Sequence, residues 1–137
     1  MSDNKKYATV DSQGILTCKK NGIGKTVTIT AMSADGKTVL ATVMIKIMKH
    51  AVTRVRIKIA QKKIKVREQL QLQTIIETSG VGANKKLKWI SSNSEYASVN
   101  SKGIVTAKTA GKERVVIITA QATDGSNKKC SVKIKVY

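Results

Sequence analysis

The sequence has 137 residues, 26 Lys and Arg against eight Asp and Glu, a formal net charge of +18, 41% apolar residues and 3% aromatic ones. The apolar share supports one ordinary domain, or a small domain plus part of another, and excludes wholesale disorder despite the charge. No apolar run approaches the roughly 20 residues of a membrane-spanning helix, so no membrane insertion is expected, and the opening stretch lacks the apolar core of a secretory leader.

A shift of 89 residues lays the chain on itself. YATVDSQGILTCKK (from Tyr7) matches YASVNSKGIVTAKT (from Tyr96), TVTITAMSADGK (from Thr26) matches VVIITAQATDGS (from Val115), and ATVMIKIM (from Ala41) matches CSVKIKVY (from Cys130). Of the 47 positions from Ser2 to Met48, 20 are identical to their partners without a gap. Such a period marks a tandem repeat. Residues 2–48 therefore read as the second half of one unit, and residues 49–137 as a complete unit. The offset predicts an excerpt from a longer array, cut inside one repeat. Half a unit exposes strand edges and half a core, so it should be frayed or completed by another chain, for instance in a strand-swapped homodimer.

Within the complete unit the apolar period is two almost throughout. Val55, Ile57 and Ile59 alternate with Arg54, Arg56 and Lys58, which predicts a half-buried strand. Ile64 and Val66 alternate with Lys63, Lys65 and Arg67 in a second. Leu70, Leu72, Thr74 and Ile76 make a third, with Gln71 and Gln73 outward. A Gly- and Asn-containing loop from Ser79 leads to LKWIS, which puts Leu87 and Trp89 on one face. Ala97 and Val99, a turn at Ser101–Gly103, and IVTAK follow. VVIITAQA is apolar on both faces and is expected to be partly buried on both. Asp124-Gly125 marks a tight hairpin, repeated at Asp35-Gly36. The last strand sets Cys130, Val132, Ile134 and Val136 against Ser131, Lys133, Lys135 and Tyr137. No segment has a helical period. Seven or eight short strands at regular spacing predict an all-β sandwich.

The run from Trp89 to Gly111, WISSNSEYASVNSKGIVTAKTAG, resembles the bacterial immunoglobulin-like domain, group 2. The Ile-Thr-Ala strand, the Asp-Gly hairpin and the closing alternating strand, Ile118 to Val136, extend the likeness, and residues 2–48 carry the same second-half motifs. Arg67-Glu68 departs from the family's Gly-Glu, Asn21-Gly22 replaces Ala-Gly, and Pro is absent. The resemblance implies tandem repeats of invasin- and intimin-type surface proteins, or a phage virion protein. Their role there is spacing or adhesion, outside the bacterial cell, with neighbouring repeats as partners.

Candidate sites are few. Trp89, Val99, Ile118, Val132 and Ile134 are expected core residues; Trp89 would need exposure to stack on carbohydrate, and its partner Leu87 argues against that. Cys18 stands in register with Ala107, and Cys130 with Ala41, small inward positions that suit buried thiols, with an intermolecular disulfide as the competing reading. The single His50 has no nucleophile at a suggestive spacing, so no catalysis is expected. The scattered acids argue against a metal site, and no cofactor motif is present. Arg54, Arg56, Lys58, Lys63, Lys65, Arg67, Lys133 and Lys135 form a candidate polyanion-binding face. The early strands should bring Lys65 and Arg67 toward Lys133 and Lys135. Two readings stand side by side: a solvated face whose lysines block an edge strand, and attraction to polyanions, with anionic cell-wall polymer or host glycan as the ligand class. The absence of zinc, helix-turn-helix or aromatic stacking motifs argues against specific nucleic-acid binding.

Overall fold

A computed structural model describes residues 1–59 and 61–137 and divides the chain into two compact units, Met1–Lys49 and His50–Tyr137. Unit one holds strands β1 (Ala8–Val10), β2 (Leu16–Cys18), β3 (Thr26–Met32) and β4 (Val39–Lys46). They pair as two separate antiparallel ribbons, β1–β2 and β3–β4. Ala8, Val27 and Ile47 form its small core.

Unit two runs through β5 (Val52–Lys58), β6 (Lys63–Ile64), β7 (Gln69–Gln71), β8 (Gln73–Thr78), β9 (Leu87–Ser91), β10 (Ala97–Val99), β11 (Ile104–Ala107), β12 (Val115–Ala122) and β13 (Lys129–Val136). One layer is β6-β13-β12-β9, with β6 parallel to β13. The other is made from β5–β8 and β10-β11-β7, and only Leu72 separates β7 from β8 in the chain. The expected single strand over Leu70–Ile76 is thus interrupted at Leu72, whose N–H donates to the Gly103 carbonyl. Two layers of this order, antiparallel except where β6 meets β13, form an immunoglobulin-like β-sandwich.

The alternation decides what lies between the layers. Ile64, Leu72, Val105, Val116, Ile118, Ile134 and Val136 are buried in the main cluster, with Val99 and Val132 packed against it. Val52, Val55, Ala120 and Ala122 form a second cluster, and Trp89 packs against both. In β12 only the even-numbered residues face inward. Val115 and Ile117 are exposed, contrary to the two-sided burial that their apolar run suggests, because no third layer covers the outside of that sheet.

The two units build their turns alike. Asp11 Oδ1 accepts the Gln13 and Ile15 N–H groups, and Asn100 Oδ1 accepts those of Lys102 and Ile104 at the partner positions. Gly24 and its counterpart Glu113 both have positive φ, 81° and 60°. Arg67, at the place of the family's glycine, has φ 68°, so the turn keeps a glycine conformation with an L side chain in it. A left-handed residue other than Gly costs about 1–2 kcal/mol, part of which glycine's greater chain entropy offsets. Arg67→Gly should therefore stabilise unit two by about 0.5–1 kcal/mol, measured by urea unfolding.

Candidate functional site

The basic residues divide between the two layers. Arg54, Arg56 and Lys58 lie on the outer face of β5, opposite Glu77, Ile75 and Gln73 of β8. A bulge between Val52 and Arg54 leaves Thr53 exposed and returns Val55 to the core. Arg56 forms an ion pair with Glu77. Lys63, Lys133 and Lys135 belong to the other layer, on β6 and β13.

Arg67 does not stand beside Lys133 and Lys135 as expected, while Lys65 lies between Ile64 and Val66, both of which are bonded to Tyr137 at the end of the last strand. Lys63 is the residue in register with Lys135, and Ile64 with Val136. Ile64 is buried beside the core residues of β13, and that packing fixes the register. The Val66 N–H then donates to the Tyr137 carbonyl at the chain end, and Arg67 turns toward β11, donating its N–H to the Ala107 carbonyl. Arg67 therefore leaves the lysine cluster.

Like charges on neighbouring strands repel, and here an acid that the sequence pattern does not flag lies against Lys135. Glu113 Oε2 stands 2.8 Å from Lys135 Nζ. That hydrogen bond, and the charge of Lys135, hold the Glu113 carboxyl below its ordinary range against a small desolvation cost, with Lys112 and Lys63 acting in the same sense. The 89-residue offset offers the only hint in the sequence, since Glu113 replaces Gly24. Glu77 is legible in retrospect as the outward residue of β8, facing β5.

Asp124 is a structural acid. Its Oδ2 accepts the Val52 N–H at 2.6 Å, tying the β12–β13 hairpin to the first strand of the unit, while Oδ1 accepts the Ser126 N–H at 3.0 Å. Burial pushes its carboxyl up, but the Ser126 side chain and the Val52 and Ser126 amides outweigh it, and the net shift is downward. A depressed carboxylate stabilises the fold above its unfolded pKa, and that contribution vanishes as pH falls through the folded value. Asp124→Ala should cost about 1–2 kcal/mol at about pH 7. The gap between mutant and parent urea midpoints should close as the pH is lowered below the carboxylate range.

The other candidates stand as follows. Trp89 is half-buried on the inner face of β9 and covers Gly103: a Cβ built there would lie 2.6 Å from the Trp89 ring. Cys130 is half-buried against the second cluster. Cys18 is exposed, against the expectation of a buried thiol. Its counterpart Ala107 is covered because β7 pairs with β11 and Ala107 exchanges backbone bonds with Arg67 and Glu68, whereas β2 pairs only with β1. His50 lies flat against Gly80, and its Nδ1 is 3.4 Å from Ser79 Oγ. That hydroxyl already accepts the Ala51 N–H, and among the described residues no third side chain is hydrogen-bonded to the pair. Among the described residues no three metal-ligating side chains cluster, and no helix is long and apolar enough to cross a membrane.

Residues 51–133 match the family model of the bacterial Ig-like domain (group 2). A comparison with curated proteins finds no match. Among solved structures, the S-layer protein SbsC is similar over 99% of this chain, at 15% identity and a TM-score of 0.53. The chain spans 19% of that protein's length. A structure of SbsC domains 4 and 5 is similar over 99% of this chain and 68% of its own, at 15% identity and a TM-score of 0.51. At these identities the likeness is one of fold. With the family model covering more than half of the sequence, the chain belongs to the bacterial immunoglobulin-like group 2 family.

Proposed function

We propose that the chain is a non-catalytic structural module of a bacterial surface or secreted protein, spacing and displaying its neighbouring repeats, and that its lysine-rich layer holds anionic polymer. One observation supports the adhesive part. Of 26 basic residues only Arg56 and Lys135 are engaged in ion pairs among the described residues, so the positive field is almost uncompensated. Such a field concentrates polyanions at the surface, with a strength that falls as salt shortens the screening length to about 10 Å or less. The layer bearing Lys63, Lys133 and Lys135 is the better candidate, since Glu113 is hydrogen-bonded to Lys135 alone, whereas Glu77 faces Arg54 across the β5–β8 ladder as well as pairing with Arg56.

The test is binding to wall teichoic acid and to heparin across a salt series. Three triple variants are compared: Lys63, Lys133 and Lys135 to Gln; Arg54, Arg56 and Lys58 to Gln; and Lys85, Lys86 and Lys88 to Gln. The first should lose most of the binding. Glu113→Gln, which removes the acid paired with Lys135, should strengthen it. Equal losses from all three triples would mean that only total charge matters, and would leave spacing as the module's role.

A further inference from the structure

We propose that the outer face of the β6-β13-β12-β9 sheet takes an acidic polysaccharide, a choice of polymer that rests on the reading of this layer as a polyanion site. The C–H faces of the sugar rings lie on an aliphatic strip of the sheet, and the acid groups meet the lysines that border it.

The strip is built by register. Val115, Ile117 and Ile90 point outward and are 57%, 40% and 39% exposed. Ile117 and Ile90 are diagonal neighbours, because Thr119, two residues on in β12, stands opposite Ile90. Lysines border the strip along one side and at one end. In β13, Lys135 stands opposite Val115 and Lys133 opposite Ile117, with Lys63 beyond Lys135 in β6. At the end of the face Gln121 lies between Lys88 and Lys129. Between these rows the Thr119 and Ser131 hydroxyls meet at 2.8 Å. Glu113 pairs with Lys135, and among the described residues no acid pairs with Lys63, Lys88, Lys129 or Lys133.

The fold does not require this pattern, as the repeat itself shows. At the 89-residue offset Thr26 and Thr28 hold the places of Val115 and Ile117, and Met44 that of Lys133. Threonine is β-branched and suits a strand as valine and isoleucine do, so the aliphatic pair is not needed to form β12. Nor is it needed by the core, which takes Val116 and Ile118 from the other face of the strand.

The composition of the face selects the occupant. The cores of protein–protein interfaces are enriched in aromatic residues and Arg and depleted of Lys, the reverse of what borders this strip. A polyanion without rings would satisfy the lysines and leave the strip in water. A chain of acidic pyranose rings complements every part of the face. Its carboxylates or sulfates accept charge-assisted hydrogen bonds from Lys, its hydroxyls pair with Thr119 and Ser131, and its C–H surface covers Val115, Ile117 and Ile90. Lys133 and Lys135 recur at about 7 Å along β13, with Lys63 about 5 Å across the ladder, so acid groups along one edge of a polymer can meet several lysines at once.

The experiment measures binding of the full chain to heparin, an acidic polysaccharide, and to inorganic polyphosphate, a polyanion without rings, at about 0.15 M salt. Val115→Thr combined with Ile117→Thr gives the strip the residues of unit one and leaves every charge in place. Heparin binding should weaken by about tenfold and polyphosphate binding by less than about twofold, with the salt dependence on heparin unchanged. The triple change of Lys63, Lys133 and Lys135 to Gln tests the underlying reading separately. If that triple leaves heparin binding intact, the layer is no polyanion site and both readings fall. If the triple abolishes binding while the double Thr variant binds heparin like the parent, the polyanion site stands and the polysaccharide assignment falls. Equal losses of the double variant on both polymers also overturn it. So does a dimer, seen by light scattering, that the two Thr substitutions dissociate, since a second copy would then be the occupant.

Discussion

Replacing Trp89 by Ala should destabilise unit two by about 3–5 kcal/mol, the range for truncating a large aromatic in a core. The magnitude follows from position rather than from the residue type alone. Trp89 packs against both buried clusters of the sandwich, one holding Ile64, Ile118 and Ile134 and the other Val52, Val55 and Ala120. Its ring also lies on Gly103, whose φ of 77° and missing Cβ let the turn after β10 approach it. Truncation therefore opens a cavity shared by both clusters and removes the cover of that turn. A domain of this size has about 5–15 kcal/mol in all, so the loss is a large fraction of the total. Urea unfolding followed by circular dichroism measures it, since the substitution removes the only Trp fluorophore. Trp89→Phe should recover part of the loss, because it restores apolar area on both clusters without the full ring system. A cost below about 1 kcal/mol would place Trp89 outside the core and reopen a role as an exposed stacking platform.

Much of this sandwich is legible in the sequence because each strand buries one face, and period two reports that directly. The Asp-Gly pairs at Asp35 and Asp124 locate both hairpins, and the repeat doubles the weight of every motif it contains. What is not legible has identifiable physical causes. A strand slipped by an even number of residues keeps the same side chains inward, so alternation cannot say whether Lys63 or Arg67 stands beside Lys135. The packing of Ile64 against β13 decides it. The apolar outer face of β12 reads as buried on both sides because Val115 and Ile117 suit a strand whether or not a layer covers them. Cys18 fails for a different reason. Register within a repeat predicts which way a side chain points, while burial depends on the strands opposite, and those counterparts of β6 to β8 do not form part of unit one. The candidate site was legible only as a list of basic residues. Glu113 and Glu77, which decide which of those charges are compensated, lie far from them in sequence.

The same dependence on opposing strands makes identical substitutions at the two ends of the repeat unequal. Ala31 and Ala120 are partners at the 89-residue offset, and each lies within an Ile-Thr-Ala sequence. Ala120 is fully buried, in register with Cys130 of β13 and Trp89 of β9. Ala120→Asp would put a carboxylate among the apolar side chains of Val52, Val55, Trp89 and their neighbours. The chain must then either bury an unpaired charge or protonate it, on top of overpacking a position sized for a methyl group. The expected cost is about 4 kcal/mol or more, with a raised carboxyl pKa, so unit two should be partly unfolded at about pH 7 and recover some stability in acid. Ala31→Asp meets water at the exposed end of β3 and should change stability by no more than about 0.5 kcal/mol. Parallel urea titrations of the two variants, with hydrogen exchange assigning each transition to residues 1–49 or 50–137, decide the matter. Equal losses at both positions would show that the inner face of unit one is covered in solution, and its open edges with it.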